Sequence, residues 1–298
     1  MRFQLRFAVL ASLIALGGCA TTPHAPLPSM ARDKISSTDV VLPIRQSEIY
    51  VFVPNSQISA ATGGGLLFAL VDAAVDSVRT SKAEDAVKPL RDSLVDFNFD
   101  ESFQGELKKS LSEVPWIHLA DVRVIKEVTN NSMDEALTGS KSGAVLFAAP
   151  DYHLSNDANL LVLKVTVSLF PNDDALRALS KNKSNSGAKT AMEKALYRNT
   201  FTFSTKIPGT ASDRDANMKV WSADNGAAAR AALNRGAAKL AVMLAEDLQK
   251  PEEMAGNDNA KGTTRSVVVD GVSGQVVRDD DDGDMVRFRD GTLAFVAN

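Results

Sequence analysis

Apolar positions recur along this chain with two periods, and the switch from one to the other sets the expected order of elements. Ile49-Tyr50-Val51-Phe52-Val53 is apolar on both faces and rich in β-branched and aromatic side chains, which predicts a strand inside a sheet. Helical spacing follows. Leu67, Leu70, Val71, Ala74 and Val78 share a stripe opposite Asp72, Asp76 and Arg79, so residues 65–79 read as an amphipathic helix. Residues 84–97, with a restart at Pro89, and 100–111, where Phe103, Leu107 and Leu111 stand one turn apart, extend the helical block. Strand signals take over at 122–128 and 144–148. Leu161, Leu163, Val165, Val167 and Leu169 then alternate with Lys164, Thr166 and Ser168, as Tyr197, Phe201, Phe203 and Ile207 do with Arg198, Thr200, Thr202 and Lys206. A period of two places one face of each strand on a core.

The polar stretch 171–193 joins those two strands as a long hairpin, and a short strand is expected at 218–221. Asp224 or Asn225 is the expected cap of a helix over 226–249, whose stripe is Leu233, Ala237, Leu240, Leu244 and Leu248, with Pro251 beyond its end. Its many alanines imply a close approach to the sheet. Asp270-Gly271 and Asp290-Gly291, each set among β-formers, predict two short hairpins. The order strand, helices, strands, helix gives an α+β fold: a mainly antiparallel sheet with helices packed on one face, plus a small C-terminal β-hairpin tail.

The first residues follow another logic. Arg2 and Arg6 precede an apolar run over 7–16, about half the roughly 20 residues that span a bilayer, which is the charged and apolar organisation of an export signal. The run ends in Leu16-Gly17-Gly18-Cys19, which resembles the lipobox of bacterial lipoproteins. That resemblance implies cleavage between Gly18 and Cys19, a thioether-linked diacylglycerol with palmitate-type chains on Cys19, and a membrane as partner through that lipid. An aspartate after the cysteine tends to hold such proteins in the inner membrane; Ala20 stands there instead, which implies the periplasmic face of the outer membrane. Residues 20–47, rich in Thr, Pro and Ser without a sustained period, read as a flexible tether reaching roughly 25–30 Å. The expected organisation is therefore a signal peptide over 1–18, a lipidated tether over 19–47, an α+β domain over 48–250, a linker over 251–264 and a β-hairpin tail over 265–298.

Charge narrows the partners. Loss of Arg2 and Arg6 with the signal leaves 31 basic against 37 acidic residues, a formal charge of −6, which disfavours nucleic acid. Cys19 is the only cysteine, so no intramolecular disulfide can form. Aromatic residues are 6% of the chain, few for a surface that stacks sugars or bases.

Candidate chemistry is sparse. Asp279-Asp280-Asp281-Asp282-Gly283-Asp284 fails as an EF-hand loop, because with Gly283 at the sixth position Arg289 falls where the terminal carboxylate is required; it reads as a solvated turn. His153, between Asp151 and Asp157 at a strand end, is the one histidine placed for metal or proton chemistry. His118 reads as a turn or core residue and His24 lies in the tether. Two serine–lysine spacings, from Ser180 and Ser186, lack their partner motifs. No catalytic residue, cofactor or metal is assigned. Gly63-Gly64-Gly65 before Leu66 and Phe68 leaves two readings open: a flexible start to a buried helix, or a segment that contacts a membrane or a partner.

The order and size of the elements resemble periplasmic α+β lipoprotein modules such as the amino-terminal domain of the Tol propeller protein, penicillin-binding-protein activator lipoproteins and the curli-secretion lipoprotein. The resemblance implies a binding or assembly role with an envelope protein as partner and carries over no site residues. The expectation is a non-catalytic envelope module; the alternatives are an oligomeric component of a secretion or transport complex and a hydrolase built around His153.

Overall fold

Five apolar residues at every second position make β5 (Leu160–Pro171) the axis of the fold: Leu161, Leu163, Val165, Val167 and Leu169 are all buried to 1% exposure or less. The computed structural model describes residues 24–52, 81–181, 195–207, 213–250, 265–269 and 272–298. β5 pairs antiparallel with β4 (Ala144–Leu154) on one side and with β6 (Tyr197–Lys206) on the other, which is the predicted long hairpin. Around this centre lie β1 (Thr38–Pro43), β2 (Tyr50–Val51), β3 (Leu119–Ile125), β7 (Ser266–Val269), β8 (Val272–Asp280), β9 (Gly283–Arg287) and β10 (Leu293–Ala297). The strand order is β3-β1-β4-β5-β6-β10-β9-β8-β7, with β2 also on β4. The fold is α+β, as expected.

The helices are α1 (Ser29–Arg32), α2 (Ser81–Ser93), α3 (Phe99–Ser112), α4 (Asn130–Thr138), α5 (Asp174–Lys181) and α6 (Arg214–Gln249). All but α4 bury apolar side chains on the face that carries Leu163, Phe201 and Phe203, in one core with Leu90, Phe103, Leu107, Leu176 and Leu240. α4 lies on the opposite face, where Met133 and Ala136 cover Val41, Val145, Phe147 and Phe170.

Three expectations are corrected. The stretch 19–47 is no tether from His24 onward: Ala25 bridges to Arg198, and β1 runs between β3 and β4 with all six residues buried. β4 continues past 148 to Leu154 despite Pro150. A proline lacks the N–H a central strand must donate, but β1 stops pairing with β4 at Phe147 and β2 begins at His153, so Pro150 falls in the gap between them. Residues 218–221 are helical, not a strand: Met218 and Trp221 sit one turn apart, buried, within α6. The segment 265–298, expected as short hairpins, forms them and is docked on the sheet: β10 joins β6 in parallel and Phe295 stacks on Phe203 at 6.3 Å between centroids. β9 and β10 pair antiparallel around the turn at 290–291, and β7 pairs antiparallel with β8, while residues 270 and 271 lie outside the described residues.

The helix start expected at 224–226 falls inside α6, where it is a break in the helix. Asp224, Asn225 and Gly226 have φ of 49°, 57° and 71°, the left-handed region that Asp, Asn and Gly tolerate best, so one helix ends and the next begins there. The second segment approaches the sheet most closely at Gly236, where a Cβ would lie 2.7 Å from Phe203 Cδ1 and 2.9 Å from Leu163 Cδ2. Gly236→Val is therefore expected to lose roughly 1–3 kcal/mol through overpacking. At about 2–4 °C per kcal/mol, thermal unfolding followed by circular dichroism reads this directly, and an unchanged midpoint would refute the contact.

Candidate functional site

Polar chemistry in the described residues gathers at two places on the central strands, one on each face. On the face away from the main core, β2 and β4 place His153 opposite Tyr50. The imidazole lies between the rings of Tyr50, 5.5 Å away, and Phe52, 5.4 Å away. Its Nδ1 is 3.3 Å from Asp151 Oδ2, and the Tyr50 hydroxyl donates to Asp151 Oδ1 at 3.1 Å. A carboxylate that orients a histidine is half of a nucleophilic triad. Among the described residues, the next along this register are Val162 and Ser204, and two strand spacings put Ser204 about 10 Å away. Ser155 is bonded to Asp157 at 2.7 Å. The Tyr50–Asp151 bond ties β2 to β4 beside the imidazole.

On the main-core face, Asp247 at the end of α6 is 3% exposed and meets β6. Tyr197 Oη and Asn199 Nδ2 each donate to Asp247 Oδ2 at 2.8 Å. His24 Nε2 is 3.7 Å from the same oxygen, an electrostatic contact too long for a hydrogen bond. Burial works to raise the Asp247 pKa, but His24, Asn199 and Tyr197 together hold the carboxyl below its ordinary range. Burial first, and the neighbouring carboxylate second, push the Tyr197 phenol well above its usual value. The rest of the segment is fixed as well: His24 N donates to Asp290 O, the His24 ring sits on Gly291, and Ala25 and Arg198 exchange backbone bonds at 2.9 Å.

Residue pattern does not announce this quartet, because His24 lies in a stretch without a sustained period. A signal for part of it does exist. Asp247 lies three residues beyond Leu244, on the apolar stripe of its helix, and a carboxylate there needs partners.

The acidic run closes the β8–β9 turn and is held by cations. Lys239 contacts Asp280 and Asp282, Arg235 contacts Asp282, and Arg265 contacts Asp279 and Asp284. The turn is solvent-exposed at Asp279, Asp281 and Asp282, as expected, and these ion pairs tie it to α6 and to the residue before β7. A further acidic cleft of about 710 Å³ includes Asp157, Asp213 and Asp215. There Asp157 accepts from Ser155 and Asn159, and Asp213 caps α6. Among the described residues no group of three His, Cys, Asp or Glu is set to hold a metal, and no helix is long and apolar enough to cross a membrane. His118 is an exposed turn residue between α3 and β3. Gly18, Cys19 and the segment Gly63, Gly64, Gly65, Leu66 and Phe68 lie outside the described residues.

No protein-family model matches the chain, and no curated protein matches it. Among solved structures, the PelC dodecamer from Paraburkholderia phytofirmans is 13% identical, covering 76% of this chain and 94% of that one at a TM-score of 0.27. A single-substitution variant of that dodecamer is 14% identical, covering 76% and 95% at a TM-score of 0.28.

Proposed function

We propose that this chain is a lipoprotein of the bacterial envelope, held by lipid on Cys19 at the periplasmic face of the outer membrane, and that its domain is a non-catalytic module that binds an envelope protein. The observation that carries this reading is Leu16-Gly17-Gly18-Cys19 behind Arg2, Arg6 and a short apolar run. Support for binding over chemistry comes from the polar clusters, which satisfy one another: Asp151 is engaged by Tyr50 and His153, Asp247 by Tyr197 and Asn199, and the acidic run by Lys239, Arg235 and Arg265.

One observation favours further copies of the chain as that partner, as in a secretion or transport complex. Among the described residues β3 and β7 form the two outer edges of the sheet, and the ribbon at the β7 edge leaves Val268 71% and Val272 56% exposed. Unpaired edges with apolar side chains are templates for pairing with another chain.

Two acyl chains anchor a protein stably where one does not. Cys19→Ser is therefore expected to move nearly all of the protein from the membrane fraction to the soluble fraction. Crosslinking in the native envelope, read by mass spectrometry, is expected to capture one reproducible partner with the wild type only. A Cys19→Ser protein that stays on the membrane would overturn the anchor, and a wild type that captures neither a partner nor itself would overturn the binding role.

A further inference from the structure

His24 is the first residue the structure describes, and it stands five Cα steps from Cys19, with four residues between them. A fully extended chain advances at most about 3.3–3.6 Å per residue, so that leash reaches no more than about 18 Å. The position of the dock then decides which part of the body lies next to the lipid. His24 and Ala25 are bound at one end of the sheet: the start of β6, the 288–292 turn ahead of β10 and the end of α6. The opposite end holds Lys206, the 155–159 turn and the acidic β8–β9 turn, because β10 runs parallel to β6 and Ala297 pairs with both Thr205 and Gly283.

We infer that the His24 end of the sheet lies against the phospholipid surface, with the Lys206 end pointing away from it. The inference rests on the lipid anchor proposed above.

With Cys19 lipidated, an introduced cysteine is the one reactive thiol, which makes the orientation measurable. Arg289→Cys and Lys206→Cys, both at exposed positions, are labelled with a donor dye in the full lipidated chain. They are reconstituted in vesicles of phosphatidylethanolamine and phosphatidylglycerol that carry a headgroup acceptor. The ten residues of β6 extend about 30 Å. The donor at 289 is expected within about 20 Å of the headgroups and the donor at 206 about 25–30 Å farther. Inserting about ten Gly/Ser residues after Thr22 lengthens the leash and is expected to erase most of that difference. Equal distances, or a donor at 206 nearer the bilayer, would overturn the orientation and leave the anchor standing. A Cys19 peptide without diacylglycerol by mass spectrometry would overturn both.

Discussion

A chain beginning at residue 48 is expected not to fold, whereas one beginning at His24 folds. The cut at 48 removes Leu27, Ile35, Val40, Val41, Leu42 and Ile44, each 3% exposed or less. At about 1.5–3 kcal/mol per buried side chain this forfeits roughly 9–18 kcal/mol, against a total stability of about 5–15 kcal/mol for a domain. The loss is also topological. β1 is the strand between β3 and β4, paired in parallel with both, so its removal strips the inner edge of each and detaches β3 from the sheet. Circular dichroism with thermal unfolding is the measurement. A cooperative transition in the shorter chain close to that of the longer one would show that β1 is an accessory, contrary to its position.

That strand marks the limit of what residue pattern reveals. Elements with a long stripe are legible: the second part of α6, α3 and β5 each repeat their apolar position four times or more over the length they occupy, and β6 repeats it at Tyr197, Phe201 and Phe203. β1 has six residues and opens on Thr38 and Asp39, so it resembles the polar stretch around it. Only the folded chain shows that Asp39 is satisfied, accepting from Ser140 Oγ at 2.7 Å and Ser142 Oγ at 2.8 Å, with Arg123 at 3.5 Å. α4 was hidden for a similar reason, since its buried contribution is Met133 and Ala136, a single turn.

Short elements draw their stability from partners distant in sequence, and no local period records those partners. The strand expected at 218–221 fails through the same ambiguity. Met218 and Trp221 fit a helix turn as well as a strand, and the choice is made by Asp213 capping the helix and by Trp221 Nε1 donating to Ala158 O at 2.7 Å. Of the candidate site residues, Asp151 and His153 do meet as their spacing in one strand implies. The His24–Asp247 contact joins residues more than 200 positions apart and could not be read from spacing.

Asp247→Ala is expected to cost roughly 3–5 kcal/mol, because it leaves Tyr197 Oη and Asn199 Nδ2 buried without their acceptor and removes the charge facing His24. At about 2–4 °C per kcal/mol the midpoint falls by roughly 6–20 °C. Asp247→Asn separates the contributions. Tyr197 and Asn199 both donate to the same oxygen, so an amide oxygen in that place keeps both bonds, and a loss of about 1 kcal/mol is expected. The pH dependence follows from the direction of the shift. A carboxyl held below its ordinary value stabilises the fold fully above the unfolded value near 3.9 and loses that contribution as pH falls through the lower folded value. The wild type is thus expected to lose stability below about pH 4 more steeply than Asp247→Asn, and equal slopes would mean that Asp247 is not the group responsible. In the lipidated chain the same substitution also loosens the segment next to Cys19. Asp247→Ala at a temperature where the domain remains folded should therefore shrink the difference in bilayer distance between positions 289 and 206, linking a buried carboxylate to the way the molecule stands on its membrane.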